Sequence, residues 1–163
     1  MTLENSYIEI LDATTILTNT VGTESWSQLS DTVKTAAVIQ ATSMLDFNFS
    51  WNGLLSSNDQ ILRWPRQGAT DLDGRDLPSN TVPNQIKHAT ALLAFHLSKT
   101  NGVNTVSNNV KSVKVGPIAI NLDSEESVDT QTIPKYIISM LNALGSYQGQ
   151  SSSDSAYNVK VMR

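Results

Sequence analysis

Three aspartates around a glycine are the residues of this chain best suited to hold a cation: Asp71, Asp73 and Asp76, with Gly74 between them. An EF-hand calcium loop also has alternating oxygen ligands, but it requires glycine at its sixth position and glutamate at its twelfth. Counted from Asp71, Gly74 is fourth and Val82 is twelfth. The segment therefore fails the EF-hand pattern. We interpret it as a structured polar turn, with a cation site as the alternative.

The other candidates for catalysis are two histidines, His88 and His96, and two adjacent glutamates, Glu125 and Glu126. The histidines are eight residues apart, whereas two metal ligands on one helix need a spacing of three or four. The glutamates lie in a polar segment where nothing separates their pKa values into an acid and a base. The chain has no cysteine, and no nucleophile elbow or glycine-rich phosphate loop. The sequence predicts no enzyme, no cofactor and no metal site; a metal-dependent enzyme built on the aspartates and a histidine is the alternative.

The tetrapeptide Arg63-Trp64-Pro65-Arg66 is the most informative short segment. Tryptophan buries a large ring, and proline restricts the backbone beside it. The arginines are expected to stack on the ring or to pair with the aspartates downstream. The segment is therefore an anchor that fixes a long loop to the helices, a contact surface, or both at once, since Trp and Arg are enriched in interface hot spots. Base stacking is a weaker fit, because single-strand binders place several aromatic residues among basic ones.

The C-terminal segment alternates apolar and polar side chains after a Ser-rich stretch, 150–155, whose composition is that of a linker. Such an end is able to add itself as a strand to the sheet of another subunit. The alternative is an unstructured terminus. The candidate contact residues in this arm are Tyr157, Val159, Lys160, Val161, Met162 and Arg163.

The pattern of the whole chain predicts a mainly α fold: a small helical bundle with a β-hairpin and an extended C-terminal arm. Helices are expected over 13–21, 31–47, 83–99 and 134–144, with Asp12 and Ser30 as N-caps and Pro83 and Pro134 as starting residues. A hairpin is expected near 110–123, because apolar residues alternate on both sides of Gly116-Pro117. Residues 1–145 would form the domain, and 146–163 a flexible linker and arm.

Apolar residues at helical spacing identify the expected core faces of the two long helices. They are Val33, Ala37, Ala41, Met44 and Leu45 in the second helix, and Ile86, Ala89, Leu93 and Leu97 in the third. Ala36, Ala37 and Ala41 form a small face that favours close helix packing.

Composition limits the classes of partner. Of the 163 residues, 16% are charged, fewer than the usual ~25%, and the net charge is −4. Tight sequence-independent DNA binding depends on Lys and Arg that neutralise phosphates, so the bulk charge argues against it but leaves a local patch open. There is no apolar stretch of membrane-spanning length and no signal-peptide pattern, so we expect a protein that stays or assembles in the cytoplasm.

Several short motifs occur in an order that resembles a known family. They are W-x-G (51–53), Q-x-L-x-W-P-R (60–66), D-x-D-G (71–74), V-P-x-x-I-K-x-A (82–89) and K-V-G-P (114–117). Over residues 26–144 this order resembles the head–tail connector or adaptor (head-completion) proteins of the tailed-bacteriophage neck. Some members of that family carry the label "DnaT-like single-stranded DNA-binding".

The resemblance implies a structural virion protein, without enzymatic activity, that forms a homo-oligomeric ring, commonly of twelve, in the neck. The ring would join the portal protein to the tail or tail-completion protein and extend the channel through which double-stranded DNA passes without specific binding; an acidic wall would repel phosphates. The arm would reach the portal. The other interface residues would be Trp64, Arg66, Asp71, Asp73, Gly74, Gly116 and Pro117. The alternative function is single-stranded nucleic-acid binding, weakened by substitution of Trp64 or Arg66.

Overall fold

The structure is a computed structural model that describes residues 5–99, 112–115, 118–121 and 133–149. In chain order these residues form α1 (Ile10–Thr18), a 3-10 helix (Glu24–Gln28), α2 (Asp31–Asn48), β1 (Phe49–Trp51), β2 (Leu54–Leu55), β3 (Arg66–Gln67), α3 (Asn84–Lys99), β4 (Ser112–Val115), β5 (Ile118–Asn121), α4 (Lys135–Leu141) and β6 (Gly145–Tyr147). The expected mainly α fold with a β-hairpin is confirmed. The C-terminal arm lies outside the described residues, and the division at residue 145 stays a prediction.

The two long helices pack against each other and begin close to the predicted positions. The Ser30 side chain accepts the Val33 N–H, as expected of an N-cap. In α3 the whole predicted stripe is buried, and in α2 Ala37, Ala41 and Leu45 are buried. Val33 and Ala36 are exposed instead, whereas Lys34, Val38 and Thr42, outside the predicted stripe, are buried. The core face of α2 is therefore shifted around the helix from the one that the sequence pattern indicates.

Helix α1 differs from its prediction at both ends. It begins at Ile10 with Glu9 as N-cap, so Asp12 lies inside the first turn and does not cap the helix. It ends at Thr18, before Gly22, because the Thr23 hydroxyl donates hydrogen bonds to the Leu17 and Thr20 carbonyls and closes the helix end. Trp26, in the 3-10 helix, is buried against α1 and donates from Nε1 to the Thr14 hydroxyl at 3.1 Å.

Three antiparallel strand pairs complete the described structure: β1 with β6, β2 with β3, and β4 with β5. The last pair is the predicted hairpin, with Val113 opposite Ile120. The sequence did not predict β6. Gly145, expected to end α4, lies in β6 opposite Trp51, and α4 ends at Leu141. A Cβ at Gly145 would stand 2.7 Å from the Ser50 carbonyl oxygen, so close approach of the two strands requires glycine there.

An aromatic cluster fixes the long loop 52–83 to this small sheet. The Trp51 and Trp64 rings meet edge to face with centroids 5.8 Å apart, and Phe49 stacks on Trp51 at 4.9 Å. Trp64 is only 2% exposed. Within the described ranges, none of the helices combines the length and apolar character needed to span a bilayer.

Candidate interaction surface

The segment Arg63-Trp64-Pro65-Arg66 anchors the loop. The Trp64 ring is buried, and the Arg66 guanidinium donates to three backbone carbonyls, those of Asn52 at 2.7 Å, Gly53 at 2.6 Å and Arg63 at 3.1 Å. The proposed pairing of these arginines with the downstream aspartates is therefore wrong. The Trp64 ring offers a partner almost no surface in the folded chain, so any interface role of Trp64 would be indirect.

A groove of about 440 Å³ lies beside this anchor, between α2 and the loop. We call it the Phe47 surface; its lining residues are Asn5, Ile39, Ser43, Asp46, Phe47, Ile61, Leu62 and Arg63. Its two most prominent apolar side chains project into solvent, since Phe47 is 84% and Ile61 71% exposed. Phe47 was not among the site residues predicted from the sequence. The available signal was its position two residues after the buried Leu45, which turns it away from the core face of α2.

The carboxyl group of Asp46 links the segments that form the base of the Phe47 surface. Oδ1 accepts the Tyr7 hydroxyl, and Oδ2 accepts the Arg63 backbone N–H at 3.2 Å. Burial raises the pKa of Asp46, and these hydrogen bonds oppose the rise without cancelling it. Burial, followed by the neighbouring Asp46 carboxyl, raises the pKa of Tyr7. One side chain thus joins the N-terminal segment, α2 and the loop.

Arg63 carries the cationic group of the Phe47 surface. Its backbone N–H is bound by Asp46, but its guanidinium forms no ion pair with any residue in the described ranges. Burial and then the Arg63 charge lower the pKa of Arg66, so the two guanidinium groups are close enough to repel each other. Arg63 therefore presents its donors to solvent, whereas Arg66 uses its donors within the chain.

The three aspartates form a self-contained turn. The Asp71 carboxylate accepts the backbone N–H groups of Asp73 and Arg75 and the Arg75 Nε–H, each at 2.9 Å. These hydrogen bonds lower the pKa of Asp71. Arg75 also pairs with Asp73 at 2.8 Å, and Gly74 adopts φ 78°. Among the described residues no three acidic or histidine side chains lie close enough to hold a metal ion.

At the tip of this turn Leu72 is 88% exposed. The turn closes at its base through the Thr70–Asp76 bridge and the Leu77 N–H to Ala69 carbonyl bond of 2.8 Å. We call residues 70–77 the Leu72 turn. It presents one apolar side chain on a hydrogen-bonded frame.

A second groove, of about 500 Å³, lies where the loop enters α3. We call it the α3 cleft; its lining residues are Leu77, Pro78, Thr81, Val82, Pro83, Asn84, Gln85, His88 and Met140. His88 is exposed at this cleft, whereas His96 is half-buried further along α3 and burial lowers its pKa. The structure therefore does not bring the two histidines together at the cleft.

The remaining predicted contact residues are Gly116, Pro117 and the six residues of the C-terminal arm. All of them lie outside the described residues. Their interface roles stay predictions, as do those of the Leu72 turn.

The described fold is that of a small, mainly α protein with grooves at the Phe47 surface and the α3 cleft and a loop fixed by buried tryptophans. The chain belongs to the family described as "Putative DnaT-like ssDNA binding protein", whose model matches residues 2–163. No curated protein and no solved structure matches it. The DnaT-like label expected from the sequence is thus confirmed. The match gives no support to the connector part of the resemblance.

Proposed function

We propose that this protein binds single-stranded DNA and that the Phe47 surface makes the contact. Family membership is the observation that carries the first half of this proposal, since the matched family is described by that activity. The contact is placed there because an exposed aromatic ring lies in the same groove as a guanidinium that forms no ion pair among the described residues.

The chemistry of the Phe47 surface suits an unpaired nucleotide. An exposed aromatic face stacks on a base of any sequence, and an arginine beside it binds the phosphate through charge-assisted hydrogen bonds. Phe47 supplies the ring and Arg63 the guanidinium, while Ser43 and Asn5 supply polar groups at the edge. Trp64 and Arg66, which the sequence suggested for this role, instead support the surface from beneath.

Charge limits how tightly the strand is held. The chain carries a net charge of −4, and Asp46 lies in the same groove as Arg63. Each phosphate neutralised on a single strand contributes roughly −0.7 to the slope of log K against the logarithm of the salt concentration. A surface with one free arginine should therefore bind weakly, with a shallow slope of about that size.

The test is fluorescence anisotropy of a labelled oligothymidine at low salt. Phe47→Ala and Arg63→Ala should each weaken binding, and loss of one stacked base, worth about 1–3 kcal/mol, corresponds to roughly 5–150-fold. Val21→Ala is the matched control, because Val21 is an equally exposed apolar residue (97%) outside the Phe47 surface. Wild-type protein that fails to bind, or a Phe47→Ala variant that binds like the control, would refute the proposal.

A second candidate is the structural neck protein, and the exposed apolar side chains favour it. Among the described residues the large exposed ones are Leu11, Val21, Val33, Phe47, Leu54, Leu55, Ile61, Leu72 and Tyr136. Single exposed apolar residues are normal, but so many on a small chain suit a subunit that is covered by neighbours. Because the order of the motifs resembles that of neck proteins, this candidate would form a ring in the virion neck. The ring would contact the portal and the tail. The family description favours DNA binding over it.

Electron microscopy separates the two candidates. A neck protein mixed with its portal should form closed rings on the portal, with no need for an oligonucleotide. A single-strand binder should leave the portal bare and shift an oligothymidine in the same preparation.

A further inference from the structure

We infer that copies of this protein associate by inserting the Leu72 turn of one copy into the α3 cleft of another. This goes beyond DNA binding, because neither the turn nor the cleft belongs to the Phe47 surface. The partner that binds in the α3 cleft is a second copy of this chain.

The turn has the features of a preformed knob. Leu72 is 88% exposed, so its side chain does not fill the cleft of its own chain. The Asp71 carboxylate accepts the backbone N–H groups of Asp73 and Arg75, and the Arg75 guanidinium donates to the carboxylates of Asp71 and Asp73, all at 2.8–2.9 Å. Since the frame is already ordered, docking costs little further conformational entropy.

The cleft has the size and lining of a receptor for such a knob. Its volume of about 500 Å³ lies within the usual range of roughly 300–1,000 Å³ for binding pockets. Leu77, Pro78, Val82 and Met140 give it apolar walls, and none of its lining residues is acidic. A leucine side chain inserted there would exchange water for apolar contact.

Charge complementarity favours this pairing over one with an arbitrary apolar segment. The Leu72 turn contains three carboxylates and one guanidinium, which leaves a net charge of −2 around the knob. The cleft opens at the amino end of α3, the positive end of the helix dipole, and the first turn of α3 contains no acidic residue. His88 adds an imidazole N–H able to donate a hydrogen bond to a carboxylate. The acidic rim of the turn therefore meets a surface of opposite polarity.

The contact joins two different surfaces of the same chain, so it is heterologous. Such contacts build rings when the rotation closes and filaments when it does not. A reciprocal exchange between two copies would instead give a dimer. Self-association would supply the assembly that the neck candidate needs, but it does not depend on that candidate.

Sedimentation velocity over a range of protein concentrations tests the inference, with Leu72→Ser and Gln85→Glu as variants. Wild-type protein should self-associate, and each variant should raise the dissociation constant at least tenfold. Leu72→Ser removes the knob, while Gln85→Glu places a negative charge at the start of α3, where it stabilises the helix yet repels the acidic turn. Val21→Ser, which removes another exposed apolar side chain, should associate like wild type.

Cysteine cross-linking provides a second readout, because the chain has no cysteine of its own. Cysteine, unlike serine, keeps a small apolar side chain at position 72, so a mixture of Leu72→Cys and Gln85→Cys proteins should form the mixed disulfide on oxidation, whereas Val21→Cys with Gln85→Cys should not. A monomeric wild type, association unchanged in Leu72→Ser, or equal cross-linking by the control pair would overturn the inference. Oligothymidine binding by Leu72→Ser should stay at the wild-type level, which separates failure of this contact from failure of DNA binding.

Discussion

Asp46 joins three parts of the chain through one buried carboxyl group, and sequence alone gives no sign of this. Its partners, Tyr7 and Arg63, are 39 and 17 residues away, so only the folded chain brings them together. The sequence did single out Trp64 and Arg66, whose anchoring role is what the structure describes. It missed Phe47, because a lone aromatic residue outside a core stripe becomes informative only once its neighbours in space are known.

Folding raises the pKa of Asp46, so the native chain holds this proton more tightly than the unfolded chain does. Stability contributed by this group is therefore present at low pH and is lost as pH rises from the ordinary carboxyl value through the raised one. We expect the Asp46→Asn variant not to show this loss of stability as pH rises. Urea unfolding of both proteins from about pH 4 to 7 should show wild type losing stability relative to the variant as pH rises. A wild type that gains stability relative to the variant over this range would contradict the assignment.

Arg66 should matter for stability more than Arg63, although both flank the same tryptophan. Replacing Arg66 by Lys removes the guanidinium that donates to three carbonyls. A hydrogen bond from a charged group contributes about 1.5–3 kcal/mol to stability. Because Arg66 is partly exposed, we expect a net loss of about 1–2 kcal/mol in urea unfolding. Arg63→Lys is the matched control and should change little. Equal effects of the two substitutions would argue against the anchor.

At the scale of elements, the two long helices and the β4–β5 hairpin were predictable, whereas the β1–β6 and β2–β3 pairs were not. Capping residues and apolar spacing are local signals, and they located α2 and α3 within one or two residues. The β1–β6 pair joins residues almost a hundred positions apart, Phe49 with Tyr147. Each strand has only three residues, too few for an alternating pattern to show. The same short length explains why Gly145 was taken for a helix end.

Gly145 provides the test of that sheet. Gly145→Ala places a methyl group against the Ser50 carbonyl oxygen and the Trp51 ring, and overpacking of this kind costs about 1–3 kcal/mol. Thermal unfolding should show the loss, and near-ultraviolet circular dichroism should report a change around Trp51. Ser146→Ala, at the next position and exposed, should have no effect on either signal.

At the scale of the whole molecule, charge and exposed apolar surface lead to different partners. A net charge of −4 opposes extensive contact with phosphates, so DNA binding must be local, whereas the exposed leucines suit contact with protein. Composition predicted the limit on contact with phosphates. The exposed apolar side chains could be identified only from the structure, because a sequence does not say which apolar residues remain outside the core.

The C-terminal arm, outside the described residues, has a role only in the neck candidate. If that candidate holds, deletion of 157–163 should leave the monomer folded, as judged by circular dichroism, but abolish capture of the portal protein in a pull-down. Undiminished capture by the truncated protein would remove the arm from the interface.

Photocrosslinking tests the central claim, DNA contact at the Phe47 surface, most directly. A single-stranded oligonucleotide containing 5-bromouracil is irradiated with the full-length protein, and the crosslinked peptide is identified by mass spectrometry. The account predicts crosslinks at Phe47 or in the segment 61–63, competed by unlabelled single strands and absent in Phe47→Ala. Crosslinks confined to other parts of the chain, or none at low salt, would contradict it.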